Sequence, residues 1–143
     1  MLDRPIEILP INPPRGTAVI AGDEYVTKWV RESGRLEHEL WLSEQFAKYV
    51  RPGDVCVDAG CNIGQSSLPM LRAGGIVHAF DINPDCIFAT THNCSDYQDR
   101  LHLHGEAALG DSVTESVSFN RNESNAGASY VAAGGGLPVR TLD

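Results

Sequence analysis

The stretch Asp54-Val55-Cys56-Val57-Asp58-Ala59-Gly60-Cys61-Asn62-Ile63-Gly64-Gln65-Ser66-Ser67 constrains this chain more than any other, because it reads as a buried strand, a glycine turn and the start of a helix. Val55-Cys56-Val57 is short, apolar and largely β-branched, which suits a parallel strand covered on both faces. The strand ends at Asp58. Gly60 and Gly64 let the backbone turn sharply and come close to a ligand, while Gln65 and Ser66 begin a helix whose free amides point back at the turn. A polar ligand end fits there.

At 143 residues the chain makes one domain, with a core but too little length for a complete doubly wound sheet. Its hydrophobic share of 42% and charged share of 21% are those of a globular protein. No apolar run approaches the roughly 20 residues that span a bilayer. Asp3, Arg4, Pro5 and Glu7 interrupt the amino end where a signal peptide needs an apolar core, so a cytoplasmic location is expected. A net charge of −8 opposes phosphate backbones and argues against nucleic-acid binding. Cys56, Cys61, Cys86 and Cys94 form no Cys-x-x-Cys pair and are expected as buried reduced thiols. His102 and His104 share one side of a strand, where two polar residues on a less buried face are a simpler reading than a metal pair. No metal is expected.

Residues 1–22 read as an extended lead-in, since Pro10, Pro13 and Pro14 stop the apolar run Ile6 to Ile11. Residues 23–50 hold two helices. Asp23 caps the first, whose stripe is Tyr25, Val26, Trp29 and Val30 and whose end is Ser33-Gly34. The second runs from about Leu36 to Val50, and Trp29, Trp41 and Tyr49 are expected in the core. Residues 54–110 form a βαβαβ core. A helix from Gln65 to Arg72 ends at Gly74-Gly75, the strand Ile76 to Asp81 follows, and the connection makes the two strands parallel neighbours. Asn83-Pro84-Asp85 carries the start signals of a helix reaching about Tyr97, and Leu101 to His104 is the third strand. In 111–143, Val117 to Phe119, Ser129 to Val131 and Val139 to Leu142 read as short strands.

Ligands of an open parallel sheet bind outside the carboxyl ends of its strands, which here carry Asp58 to Gly64, Asp81 to Asn83 and Gly105 to Ala107. Asp81, about 20 positions past Gly60, is well placed to accept hydrogen bonds from both hydroxyls of a ribose. Two nucleoside cofactors compete for such a site. A dinucleotide wants Gly-x-Gly-x-x-Gly, and this turn has Asn62 and Gln65 where the second and third glycines would stand. Asp58 before the turn disfavours a diphosphate but can meet the ammonium of an amino-acid-bearing nucleoside, such as S-adenosylmethionine.

Val57-Asp58-Ala59-Gly60-Cys61-Asn62-Ile63-Gly64, Ala79-Phe80-Asp81-Ile82-Asn83-Pro84, Glu106-Ala107-Ala108-Leu109-Gly110 and Thr141-Leu142-Asp143 together resemble the ordered motifs of the FkbM-type S-adenosylmethionine-dependent methyltransferases. The resemblance covers roughly Asp23 to Asp143. Cys61 stands where the family usually has alanine, and Asp81 where it usually has glutamate. It implies a Rossmann-like α/β fold of three α/β/α layers, of which this chain holds the amino-terminal part of the sheet. It also implies transfer of a methyl group to a hydroxyl oxygen of a sugar or other small metabolite. By position, Asp58, Gly60, Asn62 and Gly64 would hold the methionine end, Asp81 the ribose, and Glu106 with Ala107 the adenine edge, with Cys61 and Asn83 also among the cofactor-binding residues. Asn125 and Gly127 resemble a further family loop. No catalytic base is implied.

Family members continue beyond the Thr-Leu-Asp motif into a strand that lies beside the first strand and lines the substrate pocket. The resemblance therefore implies a bare edge at Val55 to Val57 and an incomplete acceptor side. A bare edge can pair with a second copy or be covered by the strands between Val117 and Leu142, and self-association is the favoured expectation.

Overall fold

The computed structural model describes residues 4–11, 15–37, 39–111 and 116–142. Pro13, Pro14 and Asp143, which carried parts of the sequence reading, lie outside the described residues.

The lead-in is not a lone extended arm. Strand β1 (Ile6–Leu9) pairs antiparallel with β2 (Thr17–Ile20), from Ile6 opposite Ile20 to Leu9 opposite Thr17. All four residues of β2 are buried, so this apolar tetrapeptide is satisfied by core packing as much as by its partner strand. Asn93, at the end of a helix far along the chain, accepts from the Ala18 N–H at 2.7 Å and donates to the Ala18 and Ile63 carbonyls at 3.0 and 2.8 Å. That side chain ties the hairpin to the glycine turn.

Helix α1 (Val26–Ser33) starts under Asp23, whose Oδ1 accepts from the amides of Tyr25, Val26 and Thr27. It ends on Gly34, left-handed at φ 71°, whose N–H bonds the Val30 carbonyl. Helix α2 covers Leu40–Tyr49, a turn shorter than expected, because Leu36 is buried ahead of it and its carbonyl accepts from the Gln65 side chain at 2.9 Å. Trp41 and Tyr49 are 60% and 65% exposed, which corrects the expectation of core aromatics; Trp29 is half-buried against the core. Helical periodicity gives an apolar stripe but not the element that covers it.

The central unit follows the sequence closely. Strands β3 (Val55–Ala59), β4 (Ile76–Asp81) and β5 (Leu101–Gly105) are parallel in the order β3-β4-β5, joined through α3 (Ser67–Arg72) and α4 (Pro84–Asn93). The last part of the expected third helix, Ser95–Tyr97, is a separate 3₁₀ turn. Both crossovers advance in one direction, so the right-handed rule puts α3 and α4 on the same face. Val77 and Ala79 point into that face and are fully buried. The fold is thus Rossmann-like α/β, with two of its three layers formed by the described residues.

The opposite face is open at β3, where Val55 and Val57 are 69% and 46% exposed, contrary to a strand covered on both sides. Asp54 O accepts from Ile76 N–H and Gly60 N–H donates to Phe80 O, so the even positions serve β4 and the backbone groups of Val55 and Val57 point away from it. No described strand pairs with that edge. His78, His102 and His104 stack on the same face, with His78 Nδ1 3.0 Å from His104 Nε2, so a third histidine joins the pair foreseen from the sequence.

The tail forms its own sheet of order β6-β9-β7-β8, from β6 (Ala108–Leu109), β7 (Ser116–Asn120), β8 (Tyr130–Ala133) and β9 (Leu137–Arg140). It stands beside the carboxyl end of β4 and leaves the β3 edge uncovered. Cys56, Cys61, Cys86 and Cys94 are free thiols, the last three buried. No helix among the described residues is long and apolar enough to cross a membrane.

Candidate functional site

The turn after β3 is held against the end of β4 by backbone bonds. Gly60 and Cys61 both donate to the Phe80 carbonyl at 2.9 Å, and the Gly64 N–H donates to Cys61 O at 2.8 Å. Gly60 has φ 85° and open space where a side chain would begin, so its bare backbone can face a ligand. Asn62, read from the sequence as a failed glycine, also has positive φ, at 50°. Asparagine tolerates that conformation and adds an amide that glycine lacks.

Asp81 clamps two turns together. Its Oδ2 accepts from the Asn62 N–H and its Oδ1 from the Asn83 N–H, both at 2.9 Å. A carboxylate offers about four lone-pair sites, so acceptor capacity remains for a ligand. Asn83 caps α4 by accepting from the Asp85 N–H at 3.0 Å, which fixes the direction in which the second loop leaves β4. Thr90 donates to Asn62 O at 2.8 Å, and Cys86 Sγ lies 3.6 Å from Asn62 Oδ1.

Outside these strand ends lies a cleft of about 510 Å³, within the size range of small-molecule sites. Of the residues singled out from the sequence, Gly60, Asn62, Asp81, Asn83 and Ala107 line it together. Asp58, Cys61, Gly64 and Glu106 stand outside its lining. Asp58 is buried and accepts from Ser67 Oγ at 2.5 Å, and Cys61 is turned into the core with Sγ 3.5 Å from Thr90 Oγ1. A Cβ on Gly64 would point at Cys94 and Thr90 of the α4 layer. Glu106 is exposed at φ 59°.

The tail supplies part of the lining, which sequence reasoning did not place: Phe119, Tyr130 and Val131 line the cleft together with Asp81. Their alternating strand pattern marked them as sheet residues, and nothing local showed what they faced. The loop after β7 is strapped down from three sides. Arg4 donates to Glu123 O at 2.6 and 2.8 Å, Glu24 N–H to Ser124 O at 2.7 Å, and Ala126 N–H to Asp23 Oδ2 at 2.6 Å. Gly127 on this strap borders both the cleft and a wider groove of about 1080 Å³ lined by Trp29, Gln65 and Asn125.

Burial raises the pKa of Asp81 above its ordinary value near 3.8, opposed by the amides of Asn83 and Asn62 and reinforced by Asp58. Asp58 is raised likewise by burial, against its bonds to Ser67. Burial also raises the Cys61 and Cys86 thiols, and the Cys94 thiol to about 12, so none is a thiolate near neutrality. For Asp81 the folded state holds its proton more tightly, so its contribution favours folding at low pH and is lost as pH rises through the folded pKa. A ligand hydroxyl donating to the carboxylate favours the charged form. Affinity should therefore be level around neutral pH and fall as acidification reaches that raised pKa. Calorimetric titration from neutral to mildly acidic pH checks this, and tighter binding in acid would remove Asp81 from the contact.

No family model and no curated protein matches this sequence. Among solved structures, TYW2 of P. horikoshii in complex with MeSAdo is similar at 21% identity and a TM-score of 0.43, over 49% of this chain and 32% of that one. Geranyl diphosphate methyltransferase, solved with GPP and sinefungin, is similar at 19% identity and a TM-score of 0.41, over 73% of this chain and 44% of that one. This chain spans less than half the length of either protein.

Proposed function

We propose that the chain is the cofactor-binding part of an FkbM-type, S-adenosylmethionine-dependent methyltransferase acting on a hydroxyl oxygen of a small molecule. The observation that carries this is Asp81. It sits at the carboxyl end of β4, between two turns that its own oxygens hold, and lines a cleft with Gly60 and Asn62. The residues fit the group: Asp81 offers acceptors for ribose hydroxyls, Gly60 leaves room for close approach, and Ala107 gives a small flat wall for a base. Asp58, behind the turn, supplies negative charge towards the methionine ammonium. Bound there, S-adenosylmethionine supplies a methyl group already activated on a sulfonium. The chain's own share is binding, alignment and exclusion of water, which is what a pre-activated donor needs.

Calorimetric titration with S-adenosylmethionine and S-adenosylhomocysteine, followed by a methyl-transfer screen over hydroxylated acceptors, tests the proposal. Binding with turnover supports it. Binding without turnover over a broad panel reduces the chain to a nucleoside-binding fragment, and binding of a nicotinamide dinucleotide alone replaces the cofactor. No role with nucleic acid or membrane enters the reading, and a cytoplasmic setting suits it.

The proposed partner besides the acceptor is a second copy. Val55, Val57 and Ala59 present an uncharged strand edge without proline or bulge, which is the kind that pairs. Two-fold pairing about Val57 closes both edges at once. Sedimentation velocity should show a concentration-dependent dimer that Val57→Lys abolishes. A monomer at every concentration would contradict the pairing.

A further inference from the structure

Arg121 belongs to the tail, immediately after β7, yet it reaches the first turn of α4. Its Nη1 lies 3.3 Å from Asp85 Oδ2 and its Nη2 3.3 Å from Asn83 Oδ1, with the guanidinium 5.9 Å from the centre of the Phe119 ring. Asp85 is fully buried and the arginine side chain is 15% exposed, so the pair is shielded from water. Both residues it grips lead to the cleft. Asp85 N–H donates to Asn83 Oδ1, and Asn83 N–H donates to Asp81 Oδ1. Phe119, which the guanidinium flanks, also lines the cleft.

We propose that Arg121 is a positioning residue that sets the ribose-binding carboxylate of Asp81 by way of Asn83 and the first turn of α4. The inference rests on the cofactor reading above. A planar two-toothed donor fixes both the distance and the rotation of what it holds, which a point charge does not. Arg121 therefore sets the height at which Asn83 leaves β4. Through the Asn83 amide it sets the rotation of the Asp81 carboxylate about its side-chain bonds.

A plain structural role predicts uniform loss of affinity for every ligand of the cleft. A positioning role predicts loss confined to ligands that carry ribose hydroxyls. The experiment is calorimetric titration of S-adenosylhomocysteine and of its analogue lacking both ribose hydroxyls, on the whole chain and on Arg121→Lys. That variant keeps the charge beside Asp85 and gives up the fork. Wild type should prefer the hydroxylated ligand by at least about tenfold, and Arg121→Lys should lose about three- to tenfold on that ligand while binding the analogue as before. A second variant, Arg121→Met with Asp85→Asn, removes the ion pair without leaving a buried charge, and should show the same selective loss.

Equal loss on both ligands in a folded variant assigns Arg121 to the fold and overturns the proposal, as does an unchanged preference. Loss of folding in both variants, read by thermal melting, overturns it in the same way. Failure of the wild type to bind either ligand is a different result, which removes the cofactor reading itself and the positioning role with it.

Discussion

Asp81→Ala should weaken binding of S-adenosylhomocysteine by at least tenfold, and by about a hundredfold or more if both ribose hydroxyls are held. Hydrogen bonds to a charged group contribute about 1.5–3 kcal/mol each, and about 1.4 kcal/mol is a factor of ten in affinity. The same change leaves the amides of Asn62 and Asn83 without their acceptor, so the two turns loosen as well as losing a ligand contact. Some stability returns, because a desolvated carboxylate no longer has to be accommodated. Asp81→Asn separates the effects, since it keeps the shape and one acceptor while removing the charge. Titration and thermal melting of both variants check this. Unchanged affinity in a folded Asp81→Ala protein would take the ribose away from this residue.

Gly64→Val should destabilise the chain by about 2–5 kcal/mol, combining left-handed strain with overpacking. The sequence suggested that Gly64 lets the backbone come close to a ligand. The geometry turns it towards packing instead. Gly64 has φ 89°, and its missing Cβ would lie 3.2 Å from Cys94 Sγ and 3.3 Å from Thr90 Cγ2, against α4 and away from the cleft. The clash falls on the layer that holds the turn in place. Gly60→Ala is the comparison, because it meets positive φ but no neighbouring atom within 4 Å and should lose only about 1–2 kcal/mol. At these sizes the two melting temperatures should differ by several degrees. A Gly64→Val protein that melts with the wild type would refute the packing argument.

The βαβαβ unit was legible because its signals are local. Val55 to Val57, Ile76 to Phe80 and Leu101 to Leu103 are short apolar runs, each followed by a turn, and Asn83-Pro84-Asp85 announces a helix within three residues. Asp81 was legible for the same reason, since a strand end fixes where its side chain can go. Long-range pairing was not legible. Strand β2 pairs with β1 from beyond a proline-rich stretch of sequence, and Asn93 reaches Ala18 from another element altogether. Nothing near Arg121 in the sequence announces Asp85. Asn62 was named from the sequence, but its positive φ was not, because a side chain there looks like a departure from a glycine pattern until the turn is seen. Trp41 and Tyr49 misled in the opposite direction, for an apolar stripe states that a face wants cover and not that cover is present.

The cleft outside β3 and β4 is proposed to take an adenosyl amino acid. Isothermal titration of the whole chain with S-adenosylhomocysteine, alongside a nicotinamide dinucleotide, tests it most directly. Saturable binding of S-adenosylhomocysteine at one site per chain is expected, lost in Asp81→Ala, with no heat from the dinucleotide. Heat from the dinucleotide alone, or S-adenosylhomocysteine binding that survives Asp81→Ala undiminished, would contradict it.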